Sequence, residues 1–137
     1  MNEKKAIRRA LIAALKADVD VAALVGGRIY SNVPDTRVYP YLRFGPIQSV
    51  EDDAEGLRSF EVNVQIDAFS RAEGVVEVED LLAAARAAIH KVDLTLAGDY
   101  RLIVGRVVSD RQFSQRDGET AQGILTYEAD IQEGPCA

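Results

Sequence analysis

The chain has few of the residues on which compact catalytic sites are usually built. Its 137 residues include one histidine, one cysteine and no tryptophan. Because Cys136 is the only cysteine, we expect neither an intrachain disulfide nor a cysteine-based metal site, a usage typical of a reducing cytoplasm. There is no Gly-rich phosphate loop either. We therefore predict that the protein is not an enzyme.

Long hydrophobic runs are also absent. The longest, such as Leu11 to Leu15 and Leu81 to Ala85, fall far short of the ~20 residues that a bilayer span requires. The basic N-terminal residues precede a brief apolar stretch without a plausible cleavage site, so we expect no signal peptide. A net charge of -6 disfavours binding to polyphosphate. We expect a soluble protein without a membrane or a specific nucleic acid as its partner.

Apolar residues at helical spacing predict two long helices. In Glu3 to Ala17, the residues Ile7, Leu11 and Leu15 recur at four-residue steps opposite basic side chains. The second helix, about Val75 to Val92, carries an apolar stripe rich in alanine, which permits close packing on a sheet. Between the first helix and the glycine pair at 26–27, aspartates favour a short capped turn.

The clearest single element is the strand from Phe60 to Phe69, where apolar and polar residues alternate. The residues predicted to face a core are Phe60, Val62, Val64 and Ile66, and those facing away are Glu61, Asn63, Gln65 and Asp67. We expect this polar face to be free for solvent or a neighbouring subunit. At Ala68-Phe69 the alternation slips, which indicates either a bulge or the strand leaving the sheet.

Three further strands are predicted, at Tyr41 to Ile47, about Tyr100 to Phe113, and Ala121 to Gln132. The last two flank a polar turn with an Asp-Gly step, so they should pair as a hairpin. Pro46 indicates that its strand ends or lies at an edge. The proline-bearing segment 31–40 reads as an exposed excursion, and the acidic stretch 51–56 reads as a loop.

These elements predict an α+β fold in which an antiparallel sheet of about four strands packs two helices on one face. The links between the predicted elements are of hairpin length, which favours antiparallel pairing of the strands. We expect a single domain over residues 1–132, followed by a flexible tail at 133–137.

Few side chains carry a specific chemical signal. His90 is interpreted as a surface or boundary residue near a helix end rather than as a catalytic group. The acidic stretch lacks EF-hand spacing, so a solvated loop or a contact for a basic partner is favoured over a cation site. The basic residues of the first helix are read as its solvated face rather than as a phosphate site.

The order of motifs nevertheless resembles a known family. Val-Ala-Ala-Leu-Val-Gly-Gly-Arg-Ile-Tyr (21–30) follows the first helix, and Tyr-Pro-Tyr-Leu-Arg-Phe-Gly (39–45) follows a proline-bearing loop. Val-Gln-Ile-Asp-Ala-Phe-Ser-Arg (64–71), a helix and a closing hairpin complete the pattern. In this order the motifs are similar to the tail-completion, or tail-terminator, proteins of long-tailed bacteriophages and gene transfer agents.

The resemblance implies a structural virion protein that forms a hexameric ring at the head-proximal end of a phage-like tail. Such a ring stops tail-tube polymerisation and joins the tail to the head connector, or stopper, protein. The implied partners are other copies of the chain, the tail-tube protein and the connector. DNA would pass through the ring without specific binding, and an acidic lumen would ease its passage. Assembly would occur in the host cytoplasm, after which the chain would remain in the particle.

Loop position and exposure suggest which residues make subunit or partner contacts. The candidates are Asp35, Arg37, Tyr39, Glu51, Asp52, Asp53, Asn63, Gln65, Asp67, Arg111, Arg116 and Asp117. No catalytic, cofactor-binding or metal-binding residue is predicted. An alternative function is a small ligand-binding regulatory module, since helix-backed antiparallel sheets also host such sites.

Overall fold

The computed structural model describes residues 2–52, 58–71, 76–115 and 117–134. Within these ranges the chain forms three helices and five strands. In chain order they are α1 (Glu3–Ala17), α2 (Val19–Val25), β1 (Ile29–Tyr30), β2 (Tyr41–Asp52), β3 (Arg58–Ser70), α3 (Val76–Ile89), β4 (Tyr100–Ser114) and β5 (Ala121–Glu133). The α+β class is confirmed, and β5 extends one residue into the predicted tail.

The two N-terminal helices begin and end at capping residues. The Asn2 side chain accepts a hydrogen bond from the Lys5 amide at 2.8 Å, and that of Asp18 accepts one from the Val21 amide at 3.0 Å. Each bond satisfies an amide that has no partner within its own helix. Gly26 then ends α2 with a φ of 63°, a left-handed conformation that costs glycine little. The predicted short turn is thus a two-turn helix.

The sheet is mixed rather than purely antiparallel. Its strand order is β1-β2-β3-β5-β4, and β1 runs parallel to β2 through the pairs Ile29–Leu42 and Tyr30–Arg43. The other three neighbouring pairs are antiparallel, including the predicted hairpin of β4 and β5. Strand β1 has only two residues, which are too few to show a periodicity. For that reason the sequence predicted about four strands and missed the parallel one.

Strand β3 lies at the centre and is regular throughout. It pairs with β5 without interruption from Arg58–Glu133 to Ser70–Ala121. The predicted slip at Ala68-Phe69 is therefore neither a bulge nor an exit from the sheet. Ala68 continues the inner, helix-covered face, and Phe69 lies on the opposite face, which we call the outer face. The core on the inner face includes Val62, Val64 and Ile66.

Strand β2 is longer than predicted because it continues past its proline. The register with β3 shifts between Phe44 and Ile47, so a bulge accommodates Pro46, which has no amide hydrogen to donate. Pairing then resumes and runs to Asp52, opposite Ser59. Glu51 and Asp52 thus belong to a strand, and the prediction of a loop is wrong for them. The rest of the acidic stretch, from Asp53 to Gly56, lies outside the described residues.

Helix α3 packs closely on β5 because β5 carries a glycine beneath it. A Cβ built on Gly123 would lie 2.7 Å from Val78 Cγ1 and 2.8 Å from Leu82 Cδ1. Both distances are shorter than a van der Waals contact, so only glycine allows this approach. Helix α1 covers β2 and β3 on the same face. Helices α1 and α3 therefore both pack on the inner face, as predicted.

Candidate assembly surfaces

One end of the outer face carries packed aromatic rings, which we call the tyrosine cluster (Tyr39, Tyr41 and Phe69). Tyr41 stacks on Phe69 with ring centroids 5.0 Å apart, and Tyr39 packs on Tyr41 at 5.1 Å. The guanidinium group of Arg43 lies 4.9 Å from the centre of the Phe69 ring, and that of Arg71 lies 4.6 Å from the centre of the Tyr39 ring. Burial and cation–π contact both stabilise this packing. The cluster holds the end of the 31–40 segment on the sheet.

The candidate contact residues of the 31–40 segment have different environments. Asp35 and Arg37 are exposed, whereas Tyr39 is half-buried in the tyrosine cluster. A hydrogen bond with Tyr41 raises the pKa of Arg37, and burial raises the pKa of the Tyr41 hydroxyl. The arginine thus remains charged beside a neutral phenol. Of the three candidates, Asp35 and Arg37 present the side chains that a partner can reach.

Asp67 is not free on the polar face, and that prediction is wrong for it. Its side chain is completely buried, with Oδ2 2.6 Å from Arg43 Nη2 and Oδ1 2.9 Å from Gln65 Nε2. A buried carboxylate needs such partners, since an unpaired one would be strongly disfavoured. The cross-strand pairing of Arg43 with Asp67 brings the two together. Asn63 and Gln65 are half-buried on the same face.

The acidic candidates lie at the far end of β2. Glu51 is exposed, and its Oε1 lies 2.9 Å from Arg58 Nε in the neighbouring strand. Arg58 also forms an ion pair with Glu133, with Nη1 2.7 Å from Oε1. Exposed pairs of this kind stabilise the fold by only ~0–1 kcal/mol. Their charges remain available at the surface, since a partner can compete for them.

The turn between β4 and β5 is built around Asp117. Its Oδ1 accepts hydrogen bonds from the amides of Glu119 and Thr120 at 2.9 and 2.8 Å, and its Oδ2 accepts one from the Thr120 hydroxyl at 2.7 Å. These bonds lower the pKa of Asp117. Gly118 completes the turn with a φ of 73°. Asp117 thus shapes the turn itself, and the candidate Arg116 lies outside the described residues.

The sequence did not predict that, among the described elements, the edge strand β4 has the most exposed large hydrophobic side chains. Its large hydrophobic side chains, 40–49% exposed, are Ile103, Val104, Val108 and Phe113. The candidate Arg111 is exposed on the same strand, with its guanidinium 5.9 Å from the Phe113 ring. Register shifts at Leu102/Val104 and Val107/Ser109 disturb the alternation. In the sequence, the adjacent apolar residues at 103–104 and 107–108 were the sign that the alternation is disturbed there.

His90 connects the end of α3 to this edge. Its Nδ1 accepts a hydrogen bond from the Val107 amide at 3.0 Å, and the Lys91 amide donates to the Gly105 carbonyl at 2.9 Å. An accepting Nδ1 requires the neutral ring with its proton on Nε2. The described residues contain no group of three or more His, Cys, Asp or Glu that could hold a metal ion. No described helix is long and apolar enough to cross a membrane.

Comparison with known proteins identifies the family. A family model described as Tail completion protein gp17 matches residues 9–132. The fold is similar to that of a chain in a structure described as "Virion of native gene transfer agent (GTA) particle", with a TM-score of 0.87 and 22% identity over 94% of this chain and 96% of that chain. No curated protein sequence matches. The resemblance predicted from the motifs is therefore confirmed: this protein belongs to the tail completion protein gp17 family and has a structural role in completing the tail of a phage-like particle.

Proposed function

We propose that the chain forms a hexameric ring at the head-proximal end of the tail, where it stops tail-tube polymerisation and joins the tail to the head connector protein. The observation that carries this proposal is the family match over residues 9–132, which covers almost the whole fold. In this function the protein positions other proteins, which agrees with its exposed apolar and charged side chains. The protein would act without a cofactor.

Two exposed segments lie at the same end of the sheet, since Tyr41 pairs with Phe69 and Phe69 pairs with Gln122. The exposed Asp35 and Arg37 lie in the segment that the tyrosine cluster holds, and the β4–β5 turn with Asp117 is a second exposed loop. Rigid attachment to the sheet lets a loop present a fixed surface to a partner. We propose that these segments form one contact surface, for the tail-tube protein or for the connector protein. Glu51, Asn63, Gln65 and Arg111 are proposed as further subunit or partner contacts.

The central channel of the ring would let DNA pass without specific binding. The net charge of -6 supports this part of the proposal, because an acidic lining does not attract phosphates. A ring structure with a predominantly basic lumen would contradict it. Before assembly the chain would reside in the host cytoplasm. None of the contacts among the described residues favours the alternative of a ligand-binding regulatory module.

Deletion of the gene in a particle-producing strain tests the proposed function. Electron microscopy should show abnormally long tails or tails unattached to heads, and a plasmid copy of the gene should restore joined tails of uniform length. Quantitative mass spectrometry of purified particles should then find the copy number of one hexamer. Joined tails of normal, uniform length after deletion would contradict the assignment.

A further inference from the structure

Within the described part of the chain, the sheet has two open edges of different chemistry. Strand β4 is last in the strand order, and it carries the four exposed apolar side chains described above. At the other side, β1 pairs only with Leu42 and Arg43 of β2. Beyond them, the described residues provide β2 with no strand neighbour on that side. An unpaired strand presents backbone donors and acceptors and is a template for association.

The two edges differ in which parts are accessible to another strand. In β4 the Gly105 carbonyl and Val107 amide are already bonded to Lys91 and His90, so the centre of that edge is occupied. In β2, Pro46 and the bulge interrupt the edge. The accessible parts are therefore the flanks of β4 and the segment 47–52 of β2. Each of them has an exposed valine, Val108 at 43% and Val50 at 49%.

The charges of the two edges are complementary. Strand β4 contains three arginines and one aspartate, which gives 3 − 1 = +2. The part of β2 from Phe44 to Asp52 contains one glutamate and one aspartate, which gives −2. Two β4 edges would repel each other, as would two β2 edges. A β4 edge and a β2 edge would attract.

We propose that copies of this chain bind head to tail, with the β4 edge of one copy lying against the 47–52 edge of β2 in the next. The apolar side chains of β4 then pack near Val50, and the opposite charges of the edges fix which surfaces meet. Because the edges lie on opposite sides of the sheet, the contact is heterologous, and repeating it generates a ring where the rotation closes. Closure into a ring rests on the proposed function; the edge contact itself does not.

Paired charge swaps test the contact. The first variant, Arg106→Glu with Arg111→Glu, changes the β4 edge from +2 to −2. The second, Gln48→Lys with Glu51→Lys, changes the β2 edge from −2 to +1. Each variant alone places like charges at every interface, so incorporation into purified particles should fall at least about tenfold, which corresponds to ~1.4 kcal/mol. Co-expression of both should restore incorporation, because each β4 edge then meets a β2 edge of opposite sign.

Matched controls separate the edge contact from general effects of charge. Lys4→Glu with Arg9→Glu makes the same charge change as the β4 variant, but on the exposed face of α1, and should leave incorporation unchanged. Val108→Asp and Val50→Asp should each reduce incorporation, whereas Val19→Asp, at an 80% exposed position, should not. Circular dichroism and thermal unfolding of each purified variant exclude those that do not fold, and the folded members of each set decide the outcome.

Several outcomes would overturn the contact. Normal incorporation of the β2 variant alone would show that β2 is not at the interface. Failure of the co-expressed pair to recover would show that the two edges do not meet. Either result, together with abnormal tails on deletion, would refute the edge contact while the proposed function stands. Normal tails on deletion would refute the proposed function, and recovery of the co-expressed pair would still support the contact.

Discussion

Removing the hydroxyl of Tyr127 should stabilise the protein. Tyr127 is completely buried beneath the sheet, and within the described part of the chain its Oη has no hydrogen-bond partner. Leaving a buried polar group unsatisfied costs about 1–3 kcal/mol. Tyr127→Phe removes that cost and leaves a gap of one oxygen atom, whose lost contacts cost about 0.5 kcal/mol. We expect a net gain of about 0.5–2.5 kcal/mol in the free energy of unfolding.

The stability gained by Tyr127→Phe should grow at high pH. Burial raises the pKa of Tyr127 to about 12, above the ordinary value of about 10. The unfolded chain therefore loses the phenolic proton first, and wild-type stability falls as the pH rises from about 10 towards about 12. Phenylalanine has no such proton. The difference in the free energy of unfolding between variant and wild type should thus widen in this window, by up to about 2.7 kcal/mol.

Urea unfolding of both proteins at pH 7 and at several values above pH 9 measures this prediction. The other tyrosines are present in both proteins, so their ionisation cancels when the variant is compared with the wild type. Gly105→Ala gives an independent check, because a Cβ at Gly105 would overlap Tyr127 Oη. It should destabilise the wild type more than it destabilises the phenylalanine variant. A phenylalanine variant less stable than the wild type would refute the reasoning, since it would show that the hydroxyl is bonded.

Three further predictions follow from the polar contacts. Arg43→Ala should destabilise the fold by about 3 kcal/mol in urea unfolding, because it leaves the Asp67 carboxylate buried without its ion pair; a loss below about 1 kcal/mol would contradict this. His90→Ala should cost about 1–2 kcal/mol and speed hydrogen exchange of the Val107 amide. His90→Asn, whose side-chain oxygen can accept the same bond, should retain protection, and equal exchange in both variants would argue against the bond. The Asp117 carboxyl should titrate, by NMR, below its value in the denatured chain, because the hydrogen bonds of the turn lower its pKa. Its stabilising contribution is present above the unfolded pKa and is lost as the pH falls through the folded one, so Asp117→Asn should lack that acid dependence.

Most elements with a long periodic pattern were predictable. Helix α1 begins and ends at the predicted residues, and β3, β4 and β5 differ from their predicted bounds by one or two residues. Local signals decided these cases, since each element has enough residues to show its period and ends at a cap or turn. The hairpin of β4 and β5 followed from its Asp-Gly turn for the same reason.

The candidate surfaces were less predictable, because exposure depends on neighbours that are distant in the chain. Asp67 alternates with core residues just as Asn63 does, yet only Asp67 has an arginine opposite it in β2 and is buried. In the sequence, the apolar residues of β4 cannot be distinguished from those of a buried strand. Their exposure follows from the position of β4 at the edge of the sheet.

By itself, the sequence determined the two long helices, the long strands, their inner faces and, through the order of its motifs, the family. Periodicity, caps and turns are local properties, so they can be read from neighbouring residues. Only the tertiary structure decided the strand order, the two-residue parallel strand and the edges that remain open. Pairing between distant segments fixes those features. The expectation of a polar face available to a neighbouring subunit thus became a narrower proposal, a contact between two oppositely charged edges.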